Sequence, residues 1–356
     1  MSGRPLKIAV VGATGAVGKQ LLAVLEQRKF PVRELLPFAS ARSEGKEIRL
    51  GGKPFSCRVL KPGCFAGVDL AFFDASDAVS REWVPQAAAA GAWVVDNSAT
   101  FRLEPASLLL VPEVNGELLQ NRLARGTAIT ARERILTGPN CSTVQMVVAL
   151  KPIRDGWGLR RVVVSTYQST SGAGAAAMDE LTAQTRAVLE GKELAASVFT
   201  HRIAFNCIPQ IGGFKEDGTT SEELKMMEET RKLLALPSLR ISATAVRVPT
   251  YSAHGETINV ETERAFDVEA VRMAIGAQPG VILQDRPADH FYPLGVTCAD
   301  DTVEAASGRD GVYVGRIRRD ASLENGLNLW VVSDNLRKGA ALNAVQIGEV
   351  LLPHLR

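Results

Sequence analysis

The sequence predicts an α/β protein of two domains, the first built on a doubly wound parallel sheet and the second an α+β domain with a largely antiparallel sheet. Three observations carry that expectation. The β-branched apolar run 6–11 leads straight into Gly12-Ala13-Thr14-Gly15-Ala16-Val17-Gly18 and then a helical pattern, the order strand, tight turn, helix. Short apolar runs and helical patterns then alternate up to about residue 139, as in a parallel sheet with crossover helices. From Pro139 onward the texture changes to strand-like segments of alternating apolar and polar residues, the mark of half-buried strands.

Taken in order, leucine or valine at 17, 21, 22, 24 and 25 gives the first helix its spacing, and further strands are expected at 34–38, 68–73 and 92–95. The helical pattern 77–90 ends in an alanine-rich turn closed by Gly91, a glycine C-cap and not a membrane segment. Beyond 139, helices are expected at 141–150, 173–189 and 221–234, and strands at 161–167, 241–248, 257–262, 311–317 and 327–332. The last helix, 338–352, is apolar-striped and expected to pack back on the first domain. The domains are therefore drawn as 1–139 with 338–356, and 140–337.

A chain of 356 residues, 46% apolar and 22% charged, excludes disorder and collagen-like repeats. The net charge of +2 gives no reason to expect nucleic acid. Five cysteines (57, 64, 141, 207 and 298) are scattered without Cys-x-x-Cys pairs or a nearby histidine, so neither a disulfide framework nor a metal site is expected. The opening apolar run is too short to span a membrane. A cytoplasmic location is expected, with no membrane partner.

The loop from Gly12 to Gly18 sits where glycines permit a tight turn and close backbone approach to a pyrophosphate at a helix N-terminus, which makes the first domain Rossmann-type and dinucleotide-binding. Where an enzyme using NAD would carry an acidic residue for the ribose, this chain reads Ser40-Ala41-Arg42-Ser43. An arginine between serines suits a 2′-phosphate, so NADP is expected; a solvated surface charge is the plain alternative.

Cys141 follows Gly138-Pro139-Asn140 and opens an apolar helical run, so it lies at a helix N-terminus, where the dipole favours the thiolate. A thiolate together with a nicotinamide suits chemistry at the aldehyde level through a thioester. The alternative is a small buried hydrophobe beside a helix cap. Four histidines could serve as base. His354 lies near the terminus and His290 in a polar turn; His201 remains a second candidate. His254 follows Arg247 across Pro249, and a strand-turn-strand would bring the two together.

The stretches GATGAVG, ASARS, PNCST, TYQSTSGAG, GTTSEELK, ATAVRVPTYSAHGE and SDNLRKGAALNAVQIGE resemble the aspartate-β-semialdehyde dehydrogenase family over nearly the whole chain. The resemblance implies NADPH-dependent reductive dephosphorylation of β-aspartyl phosphate to aspartate semialdehyde, towards lysine, threonine and methionine. It implies Cys141 as nucleophile, Gln168 as the orienting glutamine and His254 as the acid/base group. Arg247 would hold the α-carboxylate and Glu222 the amino group, with Lys225, Arg102 and Asn140 on the phosphate side. The spacing of Glu222 and Lys225 puts both on one helix face, which also fits a plain exposed ion pair. Beside the glycine loop and Ser40, Arg42 and Ser43, the resemblance implies Ser76, Ser171, Gly172 and Asn335 at the cofactor, and a homodimer, sometimes paired into a tetramer. Residues 73–77 depart from the family's glycine-containing stretch, and the arginine-bearing segment 116–134 is longer than usual and read as a solvated loop. N-acetyl-γ-glutamyl-phosphate reductase, with similar chemistry, and a non-catalytic NADP-binding regulator stay open as alternatives.

Overall fold

In the computed structural model, which describes residues 5–298 and 301–355, the chain divides into two compact units, 1–140 with 340–356 and 141–339. Residues 1–4 and 356, included in the expected domain bounds, lie outside the described residues.

The first unit runs β1 (Leu6–Val11), α1 (Ala16–Gln27), β2 (Val32–Phe38), β3 (Glu47–Leu50), β4 (Lys53–Ser56), β5 (Leu70–Phe73), α2 (Asp77–Ala89), β6 (Trp93–Asp96), β7 (Leu108–Leu109), α3 (Pro112–Asn115), α4 (Glu117–Ala124) and β8 (Ile135–Thr137). Its main sheet is parallel throughout, in the order β2-β1-β5-β6-β8-β7. Strands such as β5 and β6 are buried along their whole length, as expected where both faces are covered. One face packs Leu21 and Leu25 of α1 with Val345 and Leu351, and the other packs Phe65 and Phe73 with Val84 and Ala87 of α2. Because β1 is flanked by β2 on one side and β5 on the other, the chain reverses its winding there and opens a crevice at the strands' carboxyl ends.

The β3–β4 hairpin and the short strands β7 and β8 have no counterpart in the sequence reading. The segment 116–134 is not the solvated loop that was expected. It contains α4, and Arg122 is buried, donating to the backbone oxygens of Glu133 and Ala106 at 2.8 and 3.0 Å. The C-terminal helix Leu342–Leu351 follows a π-helical turn, Arg337–Ala341. Arg28 holds it by a bidentate pair with Glu349 at 2.7 and 2.8 Å, and Asn343 donates to the backbone oxygen of Leu110.

The second unit runs α5 (Cys141–Trp157), β9 (Arg161–Gln168), α6 (Ala175–Leu189), α7 (Ser221–Leu233), β10 (Arg240–Arg247), β11 (His254–Glu261), α8 (Val268–Ala277), β12 (Val281–Leu283), β13 (Val312–Asp320) and β14 (Gly326–Ser333). Its sheet has the order β10-β9-β11-β14-β13-β12, antiparallel at the centre and parallel at both outer pairs. Two expectations need correction. The helix expected from 173 is preceded by a 3₁₀ turn, Thr170–Ala173, and begins only after Gly174, whose φ of 92° no helix accommodates. The strands carrying Arg247 and His254 are also not a hairpin, since β9 lies between β10 and β11.

Alternation along the strands sorts this sheet into two faces. Gln168 and Thr166 of β9, His254 and Glu256 of β11 and Ser333 and Val331 of β14 are all buried, on the side where α5 packs. The other face shows Tyr167 and Trp330, their rings 5.6 Å apart. A groove of about 520 Å³ opens there, lined by residues including Ser165, Thr257, Asn259, Tyr292 and Arg316.

Candidate active site

The first turn of α5 places Cys141 at the head of a helix buried from Ser142 to Leu150. Gly339 lies against it so closely that a Cβ there would stand 2.8 Å from the Cys141 Cβ and 3.1 Å from its Cα. That approach requires glycine.

Three strand ends of the second unit then supply the surrounding groups. Gln168 ends β9, Arg247 ends β10 and His254 opens β11. The pairing of β9 with both other strands gathers these ends, because β9 runs parallel to β10 and antiparallel to β11. Ser169, the residue after Gln168, ties them together. Its backbone oxygen accepts from Arg247 Nη1 at 2.7 Å, and its backbone N–H donates to His254 Nδ1 at 3.1 Å. A backbone N–H can only donate, so Nδ1 is the acceptor and the neutral imidazole carries its proton on Nε2. Gly172 lies beside both groups: a Cβ there would be 2.9 Å from Arg247 Nη1 and 3.3 Å from His254 Nε2.

The electrostatics follow from burial. His254 is fully buried, and its pKa is pushed down to about 3, first by desolvation and then by the Arg247 charge, against a hydrogen bond with the Ala253 backbone. Desolvation also lowers the Arg247 pKa, opposed by Cys141 and Glu222. The guanidinium thus lies within electrostatic reach of both the sulfur and the Glu222 carboxylate.

Helix α7 brings Glu222 to this place. Thr220 and Glu223 form a reciprocal capping box at its start, and Glu223 also accepts from the Ala245 backbone on β10 at 2.9 Å. So anchored, α7 presents Glu222 to Gln168, whose Nε2 donates to Oε1 at 3.2 Å. Lys225 stands 3.8 Å from the other carboxylate oxygen and is partly exposed. Ser171 and Asn335, expected at the cofactor, belong to the same hydrogen-bonded set: Asn335 Nδ2 donates to Ser171 Oγ at 3.0 Å, and Ser169 Oγ donates to Asn335 Oδ1 at 3.1 Å.

Arg102 and Asn140 are buried residues of the first unit. Arg102 donates to the Asn97 backbone oxygen at 2.6 Å, and Asn140 directly precedes Cys141 in the chain.

The remaining expected cofactor residues surround the crevice of the first unit. The amides of Gly12 and Ala13 donate to the Phe38 backbone oxygen at 2.9 and 3.1 Å. Gly12 has φ 89°, and a Cβ on it would lie 2.0 Å from the Asp74 carbonyl oxygen; one on Gly18 would lie 2.2 Å from the Gly12 oxygen. The loop from Gly12 through Thr14, Gly15, Ala16 and Val17 to Gly18 therefore forms a cradle only glycines permit at its two ends. Gly15 caps α1 without a side-chain bond, leaving helix amides for an anion. The cradle fits a dinucleotide pyrophosphate. Arg42 is exposed in the 3₁₀ turn Ala41–Ser43, just beyond the carboxyl end of β2 and flanked by Ser40 and Ser43. Ser76 caps α2, accepting from the Val79 amide at 3.5 Å. Burial raises the Asp74 pKa to about 7, with a hydrogen bond from Asn97 opposing it. Of the other histidines, His201, His290 and His354 are exposed and lie outside this cluster.

The sequence reading missed Ser169 and Gly339. Ser169 adjoins a singled-out glutamine, and Gly339 interrupts an otherwise helical ending, so each left a faint local signal.

Comparison with known proteins agrees with this geometry. Residues 7–122 match the family described as semialdehyde dehydrogenase, NAD binding domain, and residues 150–338 match the semialdehyde dehydrogenase, dimerisation domain. An aspartate-semialdehyde dehydrogenase of Aquifex aeolicus is 49% identical over 348 residues, covering 97% of this chain and 98% of that protein. One from Bacillus subtilis is 43% identical over 357 residues, covering 98% of each. A crystal structure of aspartate semialdehyde dehydrogenase II from Vibrio cholerae, complexed with ASA, superimposes with a TM-score of 0.90 at 43% identity, covering 99% of both chains.

Proposed function

Because the chain belongs to the aspartate-semialdehyde dehydrogenase family, we propose that it carries out the NADPH-dependent reductive dephosphorylation of β-aspartyl phosphate to L-aspartate 4-semialdehyde and phosphate, through a thioester on Cys141. This is the step towards lysine, threonine and methionine. The observation that carries the reading is the convergence of a helix-head cysteine and a neutral buried histidine on one guanidinium, that of Arg247.

In this reading the substrate α-carboxylate pairs with Arg247, a charge-assisted and bidentate partner. Its free ammonium meets Glu222, which Gln168 holds in place, and the phosphate side faces Lys225, with Arg102 and Asn140 contributing. The Cys141 thiolate attacks the acyl phosphate, the carbon–sulfur bond forms, and phosphate leaves with its electron pair. NADPH, when bound, supplies the hydride that reduces the thioester. The oxyanion left by hydride transfer accepts a hydrogen bond from His254 Nε2, and as its carbonyl re-forms the carbon–sulfur bond breaks and the Cys141 thiolate leaves with the electron pair. Substrate choice is tested by phosphate-dependent NADPH formation from aspartate semialdehyde against N-acetylglutamate semialdehyde. The first is expected to react and the second, which has no ammonium for Glu222, is not; activity with the second alone would move the chain to acetylated substrates.

NADP(H) is assigned over NAD(H) on Arg42. Up to two charge-assisted contacts to a dianionic 2′-phosphate contribute on the order of 2 to 3 kcal/mol, a preference of tens-fold or more. Arg42→Ala is expected to raise the Kd for NADPH by about that factor and to leave NADH nearly unchanged, read by fluorescence titration. Equal weakening of both would remove Arg42 from this role.

The open face of the second unit's sheet, with its groove around Trp330, is assigned to a two-fold partner, the commonest closed assembly. Light scattering at micromolar concentration is expected to give about twice 38.2 kDa, or four times it if dimers pair. A mass of one chain would refute the assignment. The same reading places the enzyme in the cytoplasm, without nucleic acid or membrane as partner; among the described residues no helix is long and apolar enough to cross a membrane.

A further inference from the structure

Glu256 takes no part in the steps above, yet it lies two residues after His254, on the same buried face of β11. Along that face the strand continues with Ile258 and Val260, and across the ladder Glu256 is opposed by Thr166 on β9 and Val331 on β14. It is 0% exposed, and neither of its carboxyl oxygens completes a hydrogen bond. Among the described residues it has no ion-pair partner. Burial pushes it well above the usual carboxylate range, with the side-chain amide of Gln145 the one opposing influence, which favours its uncharged form.

Gln145 connects this group to the site. It stands one turn after Cys141 in α5, and its Oε1 accepts from Ser333 Oγ at 2.6 Å. Ser333 is in turn the ladder partner of His254. An aliphatic side chain such as the neighbouring Ile258 would fill the place of Glu256 without burying an acid. The polar group sits where the nucleophile's helix meets the strand end bearing the imidazole.

We propose that Glu256, acting with Gln145 and Ser333, is a positioning residue for the reaction, fixing the first turn of α5, and so Cys141, against the strand ends at His254. The proposal rests on the roles given to Cys141 and His254 above. The test compares Glu256→Leu and Glu256→Gln with the parent for kcat, KM, Tm and the pH profile of Cys141 alkylation by iodoacetamide. Small misplacements of reacting groups are felt strongly, so Glu256→Leu is expected to lower kcat by about ten- to a hundredfold while KM stays within about twofold and Tm does not fall. Its alkylation profile is expected to shift. Glu256→Gln, which keeps a neutral hydrogen-bonding group, is expected to restore kcat to within about threefold. Unchanged kcat and alkylation in a folded Glu256→Leu protein would overturn the proposal, as would equal losses of kcat in both variants alongside a falling Tm. Should Glu256→Leu not fold, Ser333→Ala decides the matter: a loss of kcat at constant Tm supports the positioning role, and an unchanged kcat overturns it. Turnover retained by Cys141→Ala would instead defeat the thioester reading itself, so the two failures are distinguishable.

Discussion

Replacing Cys141 by alanine is expected to abolish turnover, by about four orders of magnitude or more, while NADPH binds as tightly as before. The loss is large because every later step happens on the carbon–sulfur bond. Alanine keeps the Cβ that packs against Gly339 and suits a helix, so the first turn of α5 is retained. The glycine cradle and Arg42 lie in the first unit and are left as they were. Single-turnover NADPH oxidation with acyl phosphate, beside a fluorescence titration of cofactor, separates the two effects. Measurable turnover near the parent's would remove the thiol from the chemistry.

His254→Asn is expected to lower kcat by about two to four orders of magnitude. Asparagine can still accept from the Ser169 amide through its side-chain oxygen, but it offers no titratable group at the Nε2 position. The pH behaviour is just as specific. With the ring neutral down to about pH 3, kcat/KM, which reports the free enzyme, carries no limb from His254 between pH 5 and 8. Once a substrate carboxylate neutralises Arg247, one of the two depressing causes is lifted, so the ring's limb in kcat lies higher than its limb in kcat/KM. Stability gives an independent reading. The unfolded chain protonates this histidine below about 6.5 and the folded protein only near 3, so in that window the unfolded state binds more protons. Its contribution to stability is therefore lost progressively as pH falls from 6.5 towards 3 and is fully regained above 6.5. His254→Asn should flatten the dependence of Tm on pH between 5 and 6.5, and a slope equal to the parent's would contradict a buried neutral ring.

Much of this was legible in the chain, and for identifiable reasons. The strand at 6–11 and the helix after it declare themselves through apolar periodicity and a glycine turn, and the structure forms them as Leu6–Val11 and Ala16–Gln27. Cys141 was visible because a helix head follows a proline and an asparagine. The relation of Arg247 to His254 was readable only as proximity. The strand that separates them, β9, lies about 80 residues earlier, and local patterning holds no information on such pairings. Arg122 was misread for a related reason. Its segment looks polar, and only the carbonyls of Ala106, outside it, and of Glu133, at its far end, make a buried arginine tolerable. Glu256 left no such trace, since a strand was expected only from 257 onward, and Gln145 and Ser333 lie on elements more than 70 residues away in either direction.

The split of the first unit into residues 1–140 and 340–356 also bears on how the protein is made. A ribosome delivers the sheet and α1 first, then the whole of the second unit, and only after that the helix Leu342–Leu351. Until then Leu21, Leu25 and Phe30 lack Val345, Ile347 and Leu351, with which they form one core, and Arg28 awaits Glu349. The nascent cofactor fold thus stays unfinished, with apolar surface open to aggregation or chaperone capture, while 199 residues of inserted chain, 141 to 339, are synthesised and folded. The helix Leu342–Leu351 acts as a latch on what was translated before the second unit, so a chain cut after Gly339 carries a whole second unit and an unfinished first.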